Sequence, residues 1–270
     1  MKDHWKGYSL ALLTALLLTA AILLILEDRS RASVLGENTC ETEAFRRQEL
    51  KPALYEEIMR KSEKGGDFAD VLTVTMLRGS FAPKQVCTDK TPFVKYKPRE
   101  YRLLKRAYQA VWSDVVYFPI PDRNISFENS FGEPREYGGE RTHEGTDLFG
   151  KVSKSGYYPV MSMTDGVVER IGWLPLGGYR IGIRAPSGGY FYYAHLSGYE
   201  REFREGDAVE AGEILGYMGD TGYGPRETRG KFPVHLHLGI YIQTPHHEEL
   251  SVNPYYVLRA NSKNFRNYSY

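Results

Sequence analysis

Residues 234–242 read VHLHLGIYI, and this stretch decides the fold class of the C-terminal half of the chain. In a β-strand, side chains two residues apart point to the same face. Val234, Leu236 and Leu238 therefore face a core, while His235 and His237 share the opposite face. The pattern predicts a strand that packs on a core with one face and lines a cleft with the other.

Short β-branched and aromatic runs separated by glycine surround this strand in the sequence. The clearest are residues 166–168, 179–184, 189–195 and 213–218. Runs of this length between turn residues are typical of an all-β domain. We predict a mainly β domain over residues 119–258, followed by a tail over residues 259–270.

The preceding half of the chain has a helical spacing of apolar residues instead. The spacing predicts a helix over residues 45–58, a break at Gly65-Gly66, a second helix over 68–77 and a third over 98–112. These helices form a small spacer or docking region over residues 41–118. A protein partner for this region is possible, and the sequence does not identify it.

The first strong signal in the chain is an uncharged, Leu/Ala/Ile-rich segment over residues 8–26. At about 1.5 Å per residue, a helix of this length spans a hydrocarbon core of ~30 Å. We expect a single-pass anchor in the cell membrane, with residues 1–7 as a short cytoplasmic tail, residues 27–40 as a linker and the C-terminal domain outside the cytoplasm. A cleaved signal peptide is the alternative, although its apolar run is normally about 7–15 residues long.

Charge and cysteine content exclude several classes of function. Lys and Arg number 35 against 34 Asp and Glu, so the chain lacks the basic surface that nucleic-acid binding requires, and we predict no nucleic-acid partner. Cys40 and Cys87 are too few for a disulfide framework or a cysteine zinc site. Whether they pair with each other stays open. Any metal must be held by histidines and carboxylates.

Six of the seven histidines lie in the predicted β domain, and four of these six belong to three short motifs. These are HEGTD at 143–147, AHL at 194–196 and HLH at 235–237. The histidine pair at 246–247 lies in a polar loop, where we expect it to be solvated. Two histidines at strand spacing need not bind the same ion, so one histidine of the HLH motif is expected to be a ligand and the other an acid–base group.

The HEGTD motif requires a bend in the chain. In an extended strand His143 and Asp147 would lie ~13 Å apart, too far to share an ion. The chain must therefore curl near Glu144-Gly145. We expect Gly145 to provide this curl with backbone angles that other residues avoid.

The order and flanks of these motifs resemble the lysostaphin/LytM-type zinc metallopeptidases, which cut peptidoglycan peptides. The resemblance covers residues 131–242. It rests on RTHEGTD at 141–147, TDGVV at 164–168, YAHL at 193–196, GDAV at 206–209, GEILG at 212–216, GDTG at 219–222 and HLHL at 235–238.

The resemblance implies an antiparallel β-sandwich of the duplicated-hybrid-motif, lysostaphin-like type, with a peptide groove above a metal. It implies one Zn²⁺ per chain, held by His143, Asp147 and His237, and a catalytic pair formed by His195 and His235. The implied function is a membrane-anchored zinc endopeptidase. It would hydrolyse peptide bonds in peptidoglycan stem peptides or cross-bridges with a metal-activated water.

Two segments depart from the family pattern. Residues 149–158 are longer and more basic than usual, and residues 223–232 expand the loop before the HLH motif. We expect both segments to line the groove and to affect the choice of substrate rather than the metal chemistry.

Two alternatives belong to other classes of protein. A non-catalytic scaffold or activator of cell-wall remodelling or sporulation assemblies would retain zinc, but the complete set of histidines favours an enzyme. Residues 205–215 resemble the sequence of a lipoyl- or biotinyl-like carrier domain. Such a carrier needs a modified lysine at a hairpin tip, and no lysine is present there.

Overall fold

The computed structural model has helices in the N-terminal half of the chain and strands in the C-terminal half. It describes residues 2–136 and 139–269, with side chains from residue 8 onward, so Met1 and Tyr270 of the two predicted tails lie outside the described residues. The helices are α1 Lys2–Ala32, α2 Glu43–Arg46, α3 Pro52–Glu63, α4 Phe68–Arg78, α5 Thr91–Tyr96, α6 Pro98–Trp112 and α7 Tyr255–Asn261. The strands are β1 Ser126–Phe127, β2 Pro134–Arg135, β3 Arg141–Thr142, β4 Thr146–Phe149, β5 Pro159–Met161, β6 Gly166–Leu174, β7 Gly178–Arg184, β8 Tyr190–Tyr199, β9 Ala208–Val209, β10 Ile214–Met218, β11 Leu236–Ile242 and β12 Leu250–Val252.

Helix α1 contains the apolar segment and extends beyond it. Its part Tyr8–Ala32 is long and apolar enough to cross a membrane, a property that anchors and signal sequences share. The helix continues to Ala32, so the first residues of the expected linker are helical. Arg31 pairs with Glu27 and Asp28 one turn earlier, and such pairs support a helix end.

The helix expected over residues 45–58 is divided in two, and this expectation is wrong. Helix α2 ends at Arg46 and α3 begins at Pro52. A proline disfavours helical backbone angles at the residue before it, and α3 begins with Pro52. Between the two helices, Gln48 has a positive φ of 50°. The buried Gln48 side chain donates to the Phe45 carbonyl at 2.8 Å and accepts from the Trp112 indole at 2.7 Å. By contrast, α6 covers the expected range, and α4 begins at the expected residue and ends one residue later.

The helical region packs on the β domain and shares one hydrophobic core with it. The Arg46 guanidinium donates to the Ser251 carbonyl at 3.0 Å, and the Asn253 amide donates to the Arg46 carbonyl at 2.8 Å. The thiols of Cys40, which is buried, and Cys87 are free, so no bridge joins them. The helical region therefore packs on the β domain and helps to stabilise it.

The strands pair antiparallel throughout, which confirms the predicted mainly antiparallel β domain. The main sheet has the order β1-β4-β11-β8-β7-β6-β9; β10 pairs with β5 and β8, and β12 pairs with β11. Strands β2 and β3 form a separate hairpin. Each predicted apolar run lies in a strand, because one face of each strand contributes to the common core.

A bulge in β8 brings the neighbouring strands around one histidine. Ala194 pairs with His237 on β11, whereas Leu196 pairs with Met218 on β10. Between them His195 has a positive φ of 61°, and its amide donates to the Gly177 carbonyl at 2.8 Å. Bulges of this kind redirect a side chain and often lie beside functional sites.

We expect Ile58→Ala to lower the free energy of unfolding by about 2–5 kcal/mol, because the Ile58 side chain is completely buried in the common core. Met59→Ala, at an exposed neighbouring position, should change it by less than about 0.5 kcal/mol. Denaturant unfolding of the detergent-solubilised protein, followed by circular dichroism, measures both. Equal stabilities of the two variants would contradict a shared core.

Candidate functional site

Three side chains from two distant segments of the sequence meet beside the paired strands β4 and β11. His237 on β11 is the direct register partner of Asp147 on β4, and His143 precedes the bend that leads into β4. The Asp147 Oδ1 atom lies 3.1 Å from His143 Nε2 and 2.9 Å from His237 Nδ1, and the two nitrogens are 3.0 Å apart. The structure thus brings together the three residues predicted as ligands.

The arrangement of these groups suits a cation between them. His143 Nδ1 lies 3.0 Å from the Ser130 hydroxyl and 3.2 Å from the Ser130 carbonyl, so this nitrogen carries the proton. The lone pair of His143 Nε2 then faces the Asp147 carboxylate and the His237 ring. Ligands of a tetrahedral zinc ion with bonds of ~2.0–2.1 Å are only about 3.4 Å apart, so the three atoms fit such an ion after a small expansion.

Asp147 is ionised in this cluster. Burial opposes ionisation, but the contacts with His143 and His237 hold the pKa of Asp147 well below its usual range. The other carboxylate oxygen accepts from the Arg135 guanidinium at 3.0 Å. Arg135, on the short strand β2, was missed by the sequence analysis because it belongs to none of the quoted motifs. It fixes the orientation of the carboxylate.

Gly145 is required for a different reason from the expected one. Its φ is not positive, so the expectation that it provides unusual backbone angles is wrong. A Cβ atom at this position would lie 2.5 Å from the Leu238 carbonyl oxygen and 2.6 Å from His237 Cε1. Glycine therefore allows the chain to pass close beside the His237 ring.

The predicted catalytic histidines lie next to this cluster. His195 Nδ1 is 2.8 Å from the Thr221 carbonyl, and His235 Nδ1 is 2.7 Å from the Pro233 carbonyl. Since a carbonyl only accepts, each Nδ1 carries the proton and each Nε2 is the basic atom. His235 Nε2 lies 3.7 Å from Asp147 Oδ1, and the His195 and His235 ring centroids are 4.8 Å apart.

Burial keeps these rings neutral. It lowers the pKa of His143, His195 and His235 below the ordinary value, because the charged imidazolium is poorly solvated there. Both His195 and His235 are consequently able to accept a proton at neutral pH. The positive φ of His195 is the kind of backbone strain that proteins tolerate at functional sites.

A cleft of about 1190 Å³ opens above the cluster. Phe149 stacks on His235 with ring centroids 5.2 Å apart, and Phe232 lies 4.5 Å from the His195 ring. From the segment 223–232, the two terminal residues Tyr223 and Phe232 line the cleft. From the segment 149–158 only Phe149 does so, whereas Tyr158 is buried in the core. An aromatic wall of this kind suits an extended ligand with alternating apolar and polar groups.

The histidine pair at 246–247 lies outside this arrangement. Both side chains are exposed, and His246 Nδ1 is 3.0 Å from the Glu41 carboxylate of the helical region. Among the residues described by the structure, the ligand cluster consists of His143, Asp147 and His237.

Comparison with known proteins shows what this site is similar to. Residues 141–254 match peptidase family M23. An L-Ala–D-Glu endopeptidase of Bacillus subtilis is 43% identical over 162 residues, which cover 60% of this chain and 48% of the relative. The glycyl-glycine endopeptidase ALE-1 of Staphylococcus capitis is 37% identical over 83 residues, covering 30% of this chain and 21% of the relative.

A solved structure is similar over almost its whole length. The crystal structure of a candidate LytM-type glycyl-glycine endopeptidase from Ruminococcus gnavus is 40% identical, with a TM-score of 0.74. The match covers 87% of this chain and 96% of that chain, and therefore includes helices as well as the sheet. The chain spans about half the length of the Bacillus relative.

We expect Gly145→Ala to weaken zinc binding by at least about tenfold, because the added methyl group displaces the His237 ring. The measurement is a zinc titration against a competing chelator. Gly198→Ala is the matched control, since a Cβ there meets nothing within 4 Å. Unchanged zinc affinity in Gly145→Ala would contradict the need for close approach.

The stability of the metal-free protein should fall as the pH is lowered from about 7 to 5. Histidines of the unfolded chain bind protons near pH 6.5, whereas burial lowers the pKa of His143, His195 and His235 in the folded state. The unfolded state therefore gains more protons in this window, and protonation favours it. Asp147 is ionised in both states across this range and does not contribute to the slope.

Denaturant unfolding at pH 7, 6 and 5 in the presence of a chelator measures this slope. His195→Gln should reduce it, because one buried imidazole is removed. A free energy of unfolding that stays constant or rises toward pH 5 would show that the imidazoles are protonated in the folded state.

Proposed function

Since the chain belongs to peptidase family M23, whose relatives here are endopeptidases, we propose that it is a membrane-anchored zinc metalloendopeptidase that hydrolyses peptide bonds in peptidoglycan. One observation carries the proposal. Three ligand atoms converge within about 3 Å beside two histidines whose Nδ1 atoms are bound to carbonyls. Three ligands with one open side are the pattern of a catalytic zinc site.

In this proposal, His143 Nε2, Asp147 Oδ1 and His237 Nδ1 would hold the zinc ion. When bound, zinc supplies a Lewis acid that polarises the scissile carbonyl and makes a water molecule more acidic. Ser130 and Arg135 orient two of the ligands through their other polar atoms. Such supporting contacts hold the ligand rings and carboxylate in position for the metal.

His195 and His235 are the acid–base pair. Their Nδ1–H groups donate to backbone carbonyls, which fixes the tautomer and leaves Nε2 as the atom that accepts a proton from the attacking water. The protonated ring then donates to the leaving amine. Because burial lowers the pKa of both rings, they begin the cycle neutral, as a base must.

Helix α1 is the proposed membrane anchor, with the catalytic domain outside the cytoplasm. The support is its length, its apolar composition and the exposure of the side chains from Tyr8 to Leu26. The apolar segment leads without a break into the folded region, so an anchor would hold that region close to the membrane surface.

The names of the relatives indicate two kinds of peptide bond. The longer match is to an L-Ala–D-Glu endopeptidase, and the shorter one is to a glycyl-glycine endopeptidase. The first bond would lie in a stem peptide and the second in a cross-bridge. The proposed activity is hydrolysis of one of these bonds.

The purified, zinc-loaded chain should release peptides from cell-wall sacculi, a chelator should abolish the release, and added zinc should restore it. His235→Ala should retain zinc and lower turnover by about 10²–10⁴-fold, because a proton-transfer group is lost. Mass spectrometry of the released peptides identifies the bond.

Asp147→Asn should lose both zinc and activity, and His246→Ala, at an exposed position away from the cluster, should lose neither. A wild-type protein that binds zinc and releases nothing would favour the non-catalytic scaffold over the enzyme.

A further inference from the structure

Arg180 lies in the cleft, two strands away from the ligand His237. His237 pairs with Ala194 on β8. On β7, Arg180 lies between the pairs Tyr179–Leu196 and Ile181–Tyr193, opposite the bulge. Neighbouring strands are about 4.8 Å apart, so the Cα atoms of Arg180 and His237 are separated by roughly 10 Å.

The side chain of Arg180 is directed into the cleft by the alternation of the strand. Ile181 and Ile183 are buried in the core, and Arg180 lines the cleft on the opposite face of β7. A substrate residue beside the scissile bond would therefore lie between this arginine and the ligand cluster.

The guanidinium of Arg180 is unusual because its Nη1 atom is buried without a hydrogen-bond partner. Within residues 2–136 and 139–269, Arg180 also forms no ion pair. The other arginines around the cleft do have partners: Arg135 pairs with Asp147, Arg141 donates to the Tyr223 hydroxyl, and Arg170 pairs with Glu205. Leaving a cationic donor buried and unpaired is unfavourable, and proteins seldom do so without a ligand.

The residues around Arg180 form an aromatic floor. The Tyr190 hydroxyl lies over Gly182, where an added Cβ would be 1.9 Å from it, and the Tyr192 hydroxyl lies similarly over Gly177. The Tyr192 ring is 6.1 Å from the His237 ring. Apolar walls exclude water, so a charge pair formed here is stronger than one at the surface.

We propose that Arg180 binds a free carboxylate of the substrate, and that the bond cleaved is therefore an L-Ala–D-Glu bond rather than a glycyl-glycine bond. This inference rests on the proposed function. When the amine of D-Glu is in the scissile bond and one of its carboxyl groups continues the peptide, the other carboxyl group is free and only a few bonds from the reacting amide.

The two candidate bonds differ in the charge that their flanking residues would place beside Arg180. A glycyl-glycine bridge has no side chain and no charge to place beside Arg180. The guanidinium fork matches a carboxylate with two parallel hydrogen bonds, which lysine or a neutral donor does not reproduce. A substrate whose free carboxyl group is amidated loses the charge, and we infer that Arg180 discriminates against it.

The test uses the full zinc-loaded chain and two synthetic peptides that contain an L-Ala–D-Glu bond and end in an amide. In one peptide the free D-Glu carboxyl group is unmodified, and in the other it is a primary amide. The wild type should cleave the carboxylate peptide with a kcat/KM at least about tenfold higher, as expected for charge-assisted hydrogen bonds.

Arg180→Gln should lower kcat/KM for the carboxylate peptide by about 10–100-fold and change it by less than about threefold for the amide peptide. Arg180→Lys should restore only part of the preference, because it retains the charge without the fork. Arg201→Gln, at an exposed arginine outside the cleft that pairs with Glu213, is the matched control and should keep the preference. Equal zinc content and circular dichroism spectra show that the variants fold.

Two results overturn the inference while the proposed function stands: a wild type that cleaves both peptides equally, or one that releases peptides from sacculi but cleaves neither peptide. Retention of the preference in Arg180→Gln also overturns it. If the wild type releases nothing from sacculi and cleaves no peptide, the proposed function itself fails.

Discussion

The structure depends on the antiparallel pairing of β11 with β4, which places His237 directly opposite Asp147. Leu236 and Leu238 on β11 are completely buried, and they fix the register of this pair through the core. A slip of one residue would turn both leucines toward the cleft and both histidines of the HLH motif toward the core. The apolar alternation therefore determines the geometry of the ligand cluster as well as the packing.

The site contains features that destabilise a fold. An ionised carboxylate, several imidazoles and the unpaired guanidinium of Arg180 are buried or partly buried, and His195 has a strained backbone. Each of these costs free energy that the rest of the molecule must offset. The continuous core formed by the sheet and the helical region provides this support. The helical half thus contributes to the site indirectly, although none of its described side chains lines the cleft at His143, Asp147 and His237.

Different strands and loops contribute the polar groups that line the cleft. The bend before β4 and strand β11 provide the proposed ligand atoms. The bulge in β8 and the entry to β11 provide the nitrogen atoms of the proposed acid–base pair. Strand β7 contributes Arg180, which lies opposite the same bulge. One irregularity in the sheet therefore positions the proposed acid–base residue His195 on one strand and Arg180, the proposed recognition residue, on its neighbour.

Much of this organisation was predictable from the sequence. The period of two in residues 234–242 predicts the buried and exposed faces of β11, the period of 3.6 predicts α6 over residues 98–112, and the motifs identify the five histidine and aspartate side chains that meet in the structure. These features follow from local spacing, which the sequence displays directly. The tertiary structure decided the rest: the division of the helix at residues 47–51, the close contact that requires Gly145, the orienting role of Arg135 and the unpaired state of Arg180. Each of these depends on the approach of segments that are far apart in the chain, and the distances between such segments are set by packing and strand register rather than by local sequence.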